Sequence, residues 1–247
     1  IADLGAELGV LLSFSGAPEP AAAGVEQNFS LNDTPPEALP PDEETPLAEL
    51  PALAIEVETT GLSVRDDRIV AIGAVRTFGD RIYPAASLEE LVNPGIMIPP
   101  RATASHGISD DMVEGARTFM QVFETMQPLA HATVLVGHGI AFEMAMLKRE
   151  AGLAGLRWDP PPALCTMMLV AALEPDRKEF GLETVAQDFG VEPGGRGVKS
   201  KAVLAAELFS RLIPLLAKQD VGTLGDALEF AGRPKHLIEK QKAAGWG

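Results

Sequence analysis

The sequence predicts an α/β fold in which a mixed β-sheet carries helices on both faces. Two patterns lead to that class. Three strand-length apolar stretches run in series between residues 52 and 92, separated only by turn signals. From residue 133 onward, short apolar runs alternate with segments of helical spacing, the pattern that adds strands by crossover. A third observation marks where chemistry lies: the first strand carries two acidic residues on one face.

The 247 residues suffice for one large domain or a domain with appendages. The net charge of −15 is unevenly spread: residues 1–50 hold ten acids and no Lys or Arg, leaving 25 acids and 20 bases to the rest. Neither part has the basic footprint of a strong nucleic-acid binder, whose affinity rests largely on phosphate neutralisation. Cys165 is the only cysteine, which excludes an internal disulfide and a Cys-based zinc site and fits a reducing cytoplasm. In its apolar stretch it reads as an inert buried thiol. No apolar run approaches the length of a membrane span and no secretory signal is visible, so no membrane partner is expected. The chain opens on Ile1 rather than Met, as expected of one trimmed or cut from something longer.

Ile1, Leu4, Leu8, Leu11 and Leu12 recur at helical spacing, so residues 1–14 are expected to form an amphipathic helix too short to be stable alone. It reads as a docking peptide for a protein partner or as the tail of a preceding domain. Residues 15–47, rich in Pro, Ala, Gly and Glu, read as a linker without a fixed fold. The folded domain is expected over residues 48–218 and a helical extension over 219–247. Leu53, Ile55 and Val57 alternate with Ala54, Glu56 and Glu58, so the domain begins with a strand. Residues 61–67 are a turn and 68–77 a second, mostly apolar strand. Gly79-Asp80 marks a hairpin into a third strand over 81–92, broken at Pro84. Residues 93–108 read as a Pro-rich loop, 110–114 and 119–129 as helices, 133–138 as a short buried strand and 141–151 as the helix after it. Pro160-Pro161-Pro162 interrupts the chain before a short strand or helix at 163–173. Helices are expected at 182–189 and 202–216, and a last helical segment at 224–244, kinked at Pro234.

Glu56 and Glu58, two apart on a strand, point to the same face. Carboxylates side by side repel, so the pair calls for a divalent metal or a buried Lys or Arg, unless the strand is an exposed edge and both are solvated. Thr59, Thr60, Gly61 and Leu62 follow, with hydroxyls and backbone N–H groups just beyond the acids. In a second constellation, Val134-Leu135-Val136-Gly137-His138 ends a strand and Gly139-Ile140-Ala141-Phe142-Glu143 opens a helix, which brings Glu143 near the strand ends.

These two stretches, in this order and spacing, resemble the DEDDh 3′→5′ exonuclease family, which includes bacterial polymerase proofreading subunits and RNase T. Its members typically read Asp-x-Glu-Thr-Thr-Gly-Leu at the first motif and Val-x-His-Asn-x-x-Phe-Asp at the second. Ile98-Pro99-Pro100 and Ala104-Ser105-His106-Gly107-Ile108-Ser109-Asp110 look like the family's loop between motifs. Leu182-Glu183-Thr184-Val185-Ala186 and Ala205-Ala206-Glu207-Leu208-Phe209 look like its closing helices. The resemblance covers residues 50–216 and implies a ribonuclease-H-like fold with a five-stranded mixed sheet flanked by helices. It also implies four carboxylates holding two divalent cations about 4 Å apart, a histidine general base, and a turn that grips a 3′-terminal nucleotide. The substrate set would be Thr59, Thr60, Gly61, Leu62, His106 and Phe142. Read from the residues alone, His106 serves local backbone groups and Phe142 belongs to the core.

The departures from the family pattern fall on the chemistry. Glu56 and Glu143 stand where the family has aspartates, and only Glu58 is unchanged. Anchored on Ala202 and Ala206-Glu207-Leu208, the third motif reads Arg196-Gly197-Val198-Lys199-Ser200-Lys201-Ala202. Arg196 then stands at the general base and Lys201 at the last metal ligand. The lone Tyr83 lies on the third strand, so the family branch that uses tyrosine does not apply. Arginine cannot deprotonate water near neutral pH. Lys201 is expected to lie among the carboxylates in place of a metal. The expected function is an exonuclease-fold module without metal or cofactor that binds or scaffolds within a larger protein or assembly, engaging a nucleotide or nucleic-acid 3′ end at most weakly. One alternative is an active Mg²⁺- or Mn²⁺-dependent 3′→5′ exonuclease with unusual ligands. Another is a nucleotide-binding regulator in which Arg196, Lys199 and Lys201 meet a phosphate.

Overall fold

The computed structural model describes residues 34–195 and 197–246. The expected helix at residues 1–14, most of the expected linker and Arg196 lie outside the described residues.

Five strands, β1 (Pro51–Thr59), β2 (Ile69–Phe78), β3 (Arg81–Leu91), β4 (Val134–Gly137) and β5 (Ala163–Cys165), form one mixed sheet in the order β3-β2-β1-β4-β5. Two hairpin connections make β1, β2 and β3 antiparallel neighbours. Crossovers then add β4 and β5 parallel to β1 on its other side. The helices are α1 (Pro100–His106), α2 (Asp110–Val113), α3 (Phe119–Ala130), α4 (Ala141–Leu153), α5 (Thr166–Leu173), α6 (Leu182–Asp188), α7 (Val198–Ala217), α8 (Leu224–Ala231) and α9 (Lys235–Ala243). Among the described residues no helix is long and apolar enough to cross a membrane.

The central strand β1 is covered on both sides, which removes the exposed-edge reading of its glutamates. Its small residues Ala52 and Ala54 face a core with Leu204, Leu208, Phe209 and Leu212 of α7. Its larger residues Leu53 and Ile55 face Phe123 and Met126 of α3 and Met146 and Leu147 of α4. Small side chains on one face let the long helix α7 approach the sheet closely.

Several boundaries differ from the sequence reading. The expected loop at 93–108 contains α1, with Pro100 at its start and Gly107 closing it at φ 79°. Proline at the first helical position is pre-organised there and glycine tolerates the left-handed stop, so the residues that suggested a loop are helix ends. β3 runs through Pro84, and a register irregularity between Val75 and Arg76 of β2 absorbs it. β3 is an edge strand, where a missing N–H is tolerated. The stretch 163–173 is a strand followed by a helix, and the last segment splits into α8 and α9 at Pro234. The linker does not extend to residue 47: Leu47 is fully buried, and its N–H donates to the Gly222 carbonyl at 2.9 Å. The helix α8 buries Leu224, Ala227 and Phe230 in the same core, so residues 219–231 are part of the domain body.

Candidate functional site

The site is built where the first turn of α7 crosses β1 and β2. Glu56 of β1 lies opposite Gly73 of β2. A Cβ on Gly73 would lie 2.4 Å from the Val198 carbonyl carbon. Only glycine lets the start of α7 settle on the sheet at this point, and glycine in a strand interior is a sign of close backbone approach. The helix begins at Val198 rather than near Ala202, so Lys201 falls in its first turn. The ammonium of Lys201 donates to Glu58 Oε1 at 2.7 Å.

Glu143, in the first turn of α4, is buried and completes the acidic group. Glu56 Oε2 and Glu143 Oε2 are both buried without a hydrogen-bond partner. Burial raises the Glu56 carboxyl to about 8; Lys201 pulls the other way, and Glu58 and Glu183 push it further up. Burial first, then the nearby Glu56, holds the Glu143 carboxyl well above the usual carboxylate range. For Lys201 burial disfavours the charge, yet the bond and charge of Glu58, with Glu56 and Glu183, outweigh it and hold the ammonium above its ordinary value. The arrangement is therefore one bonded ion pair beside two carboxyls whose charged form burial disfavours. Glu183, in the first turn of α6, belongs to this electrostatic group and was not singled out by its sequence context.

The turn after β1 is knotted around Asp67. Thr60 is fully buried; its hydroxyl donates to Asp67 Oδ1 at 2.8 Å and accepts from Arg68 N at 3.0 Å. Ser63 N donates to Asp67 Oδ2 at 2.8 Å. A Cβ on Gly61 would meet that same oxygen at 2.5 Å, so glycine is required for the carboxylate to sit inside the turn. The hydroxyl of Thr59 donates to the Gly61 carbonyl at 2.6 Å. Leu62 projects outward, 69% exposed. Arg149 of α4 ties the loop down by donating to the carbonyls of Asp67 and Arg65. Arg68 forms a two-pronged pair with the buried Glu150, at 2.6 and 2.9 Å. Asp67, Arg149 and Glu150 carry no motif signature, and only their folded positions reveal the role.

His106 ends α1, and its Nδ1 accepts from Ile108 N at 3.0 Å. The ring therefore donates through Nε2 to the Thr59 carbonyl, at 3.2 Å. It stands beside the turn and satisfies backbone groups there, as the reading from the residues alone expected. Phe142 is half-buried against the core, and Trp246 lies on its ring. His138, at the end of β4, is fastened between Thr166 Oγ1 at 2.9 Å and the Phe180 carbonyl at 2.6 Å. Burial lowers its pKa, and its two ring contacts make it a structural bridge. Cys165 is a buried thiol whose pKa burial pushes up, and its sulfur accepts from Gly139 N at 3.3 Å.

Residues 53–196 match the exonuclease family designated RNase T. The chain belongs to that family. A DNA polymerase III subunit epsilon-like protein of Rhodobacter capsulatus is 33% identical over 204 residues, which is 81% of this chain and 29% of that protein. The DNA polymerase III subunit epsilon of Treponema pallidum is 31% identical over 196 residues, 77% of this chain and 88% of that one. The chain thus spans less than a third of the length of the Rhodobacter relative. Exonuclease X, solved with 5′ overhanging duplex DNA, superposes with a TM-score of 0.55 at 22% identity, over 73% of this chain and 99% of the other. The fold is accordingly the ribonuclease-H-like exonuclease fold. Lys201 bonds to Glu58, and Glu56, Glu58 and Lys201 all act electrostatically on the buried Glu143. Among the described residues, no group of three or more His, Cys, Asp and Glu side chains is arranged to hold a metal ion.

Proposed function

We propose that this exonuclease-family domain has exchanged its metal centre for an internal cation, and that it binds or scaffolds instead of cleaving. The observation that carries the reading is the 2.7 Å contact between Lys201 and Glu58. The family's two divalent ions need four carboxylates, and here the fourth position holds an ammonium. Two unit charges 4 Å apart interact by about 4 kcal/mol at the effective dielectric of a partly buried site, and a divalent ion doubles that repulsion. The donor set does not fit a pair of divalent cations.

The turn at residues 59–62 remains ordered around Asp67, which supports a retained cleft for a nucleic-acid 3′ end. The DNA bound to Exonuclease X is in keeping with that class of ligand. Residues 1–47 would join the module to a protein partner or a preceding domain.

One observation favours a second reading, an active Mg²⁺- or Mn²⁺-dependent 3′→5′ exonuclease with unusual ligands. The lone pairs of Glu56 Oε2 and Glu143 Oε2 are unused, and a cation would engage them. A single assay separates the two readings. The protein is incubated with Mg²⁺ or Mn²⁺ and 5′-labelled single-stranded and 3′-recessed DNA and RNA. No release of mononucleotides is expected, and the combined substitutions Glu56→Asp, Glu143→Asp, Arg196→His and Lys201→Asp are expected to restore cleavage. Turnover by the unmodified protein that Glu58→Ala abolishes would overturn the metal-free reading.

A further inference from the structure

Helix α9 ends so as to lay one side chain against the first turn of α4. Gly245, at φ +81°, follows α9; its N–H bonds to the Lys242 carbonyl at 3.0 Å, and the N–H of Trp246 bonds back to the Gln241 carbonyl at 3.0 Å. This paired arrangement is the Schellman ending, in which a left-handed residue reverses the chain. The reversal lays the Trp246 indole against Phe142, with ring centroids 5.2 Å apart and planes at 60°. Phe142 immediately precedes Glu143 on the first turn of α4.

The seat is imperfect. Trp246 Nε1 and Gln241 Nε2 are both buried and neither has an acceptor. Buried donors without partners destabilise the arrangement that buries them. No residue of α9 is fully buried, and Leu237 and Ile238 only rest against the edge of the core. A short helix held this way opens more easily than the core strands.

We propose that the Trp246 turn is a displaceable cap packed against Phe142, the ring on which an unstacked base of a nucleic-acid 3′ end would lie. Indole and base compete for the same ring. The exchange replaces an edge-type ring contact with a stacked one and returns the orphaned Trp246 Nε1 donor to water. The proposal rests on the reading that the cleft retains a 3′ end, and it adds how access to that cleft is controlled.

Oligothymidylate of about eight nucleotides, within the reach of one single-strand site, is the probe. The chain has two tryptophans, so Trp158→Phe leaves Trp246 as the only emitter. Titration with the oligonucleotide is expected to make Trp246 more accessible to acrylamide quenching. Trp246→Ala is expected to bind the oligonucleotide more tightly, by about tenfold if the cap is closed nine-tenths of the time, because apparent affinity scales with the competent fraction. Gly245→Val, which breaks the helix ending but keeps the indole, should tighten binding in the same direction. Binding to the unmodified protein that Trp246→Ala leaves equal or weakens overturns the cap while the cleft reading stands. If neither protein binds, the cleft reading fails and the cap with it.

Discussion

Lys201 Nζ and Glu58 Oε1, 143 residues apart in the chain, meet at 2.7 Å and fasten the first turn of α7 to the end of β1. The contact joins the acidic strand that opens the domain to the helix that covers it. The cation demanded by adjacent carboxylates is thus supplied from within the chain.

Lys201→Met is expected to destabilise the protein by about 2 kcal/mol, between the roughly 1 kcal/mol of an exposed pair and the 3–5 kcal/mol lost when a buried charge is orphaned. The intermediate value follows from side chains that are 34% and 12% exposed. Urea denaturation at pH 7 measures it, and Lys201→Arg should recover part of the loss. An unchanged midpoint for Lys201→Met would show that the ion pair contributes nothing.

Millimolar Mg²⁺ is expected to leave the melting temperature of the unmodified protein where it is and to raise that of Lys201→Asp. A ligand stabilises only the state that binds it, by about 2.7 kcal/mol at a hundred times its dissociation constant. Differential scanning calorimetry with and without the ion gives the comparison. A magnesium-dependent rise in the unmodified protein would place a divalent ion in the site despite Lys201.

Stability should fall as pH rises from about 5 to about 8. Burial raises Glu56 from 4.5 to about 8, so over that window the folded state holds a proton that the unfolded state has released. The stabilisation is fully present below 4.5 and lost as pH climbs through the folded value. The slope is at most about 1.4 kcal/mol per pH unit for each such proton. Glu56→Gln should flatten it, leaving the contribution of Glu143. Denaturation at half-unit pH steps provides the test, and a Glu56→Gln protein whose stability follows the same pH profile as the unmodified protein contradicts the raised Glu56 value.

Leu47→Ala should cost about 2–5 kcal/mol, the usual range for emptying a buried leucine site. Leu47 is 1% exposed and packs in the core shared by α7 and α8. Three backbone bonds run beside it: Leu47 N to Gly222 O, Leu224 N to Thr45 O and Gly225 N to Glu43 O. A chain shortened to begin at Thr34 should therefore melt well above one shortened to begin at Ala48. Equal melting temperatures would make residues 34–47 a passive tether, as composition alone suggested.

The elements legible in the chain are those whose cause is local. Alternation over residues 53–58 puts Glu56 and Glu58 on one face, because side-chain direction along a strand has period two whatever packs above it. Thr118 with Gln121 and Thr223 with Asp226 form the capping boxes that start α3 and α8 from a four-residue pattern. Pro100 and Gly107 bounded α1 just as locally, but the richness in proline around them concealed a seven-residue helix.

The sequence drew attention to the acidic positions and to Lys201, yet not to what those groups do in each other's company. Gly73 becomes meaningful only when Val198 lies against it, and Asp67 only when Thr60 and Ser63 close around its carboxylate. Glu183 acts on Glu56, and Trp246 packs against Phe142, only because helices far apart in the chain come together. Periodicity and caps depend on neighbours a few residues away, so the amino-acid order alone determined the strands, most of the helices and which side chains share a face. Protonation, ion pairing and access depend on burial and on distances of a few ångströms between segments far apart in the chain, and those came into being only when the sheet and α7 packed together.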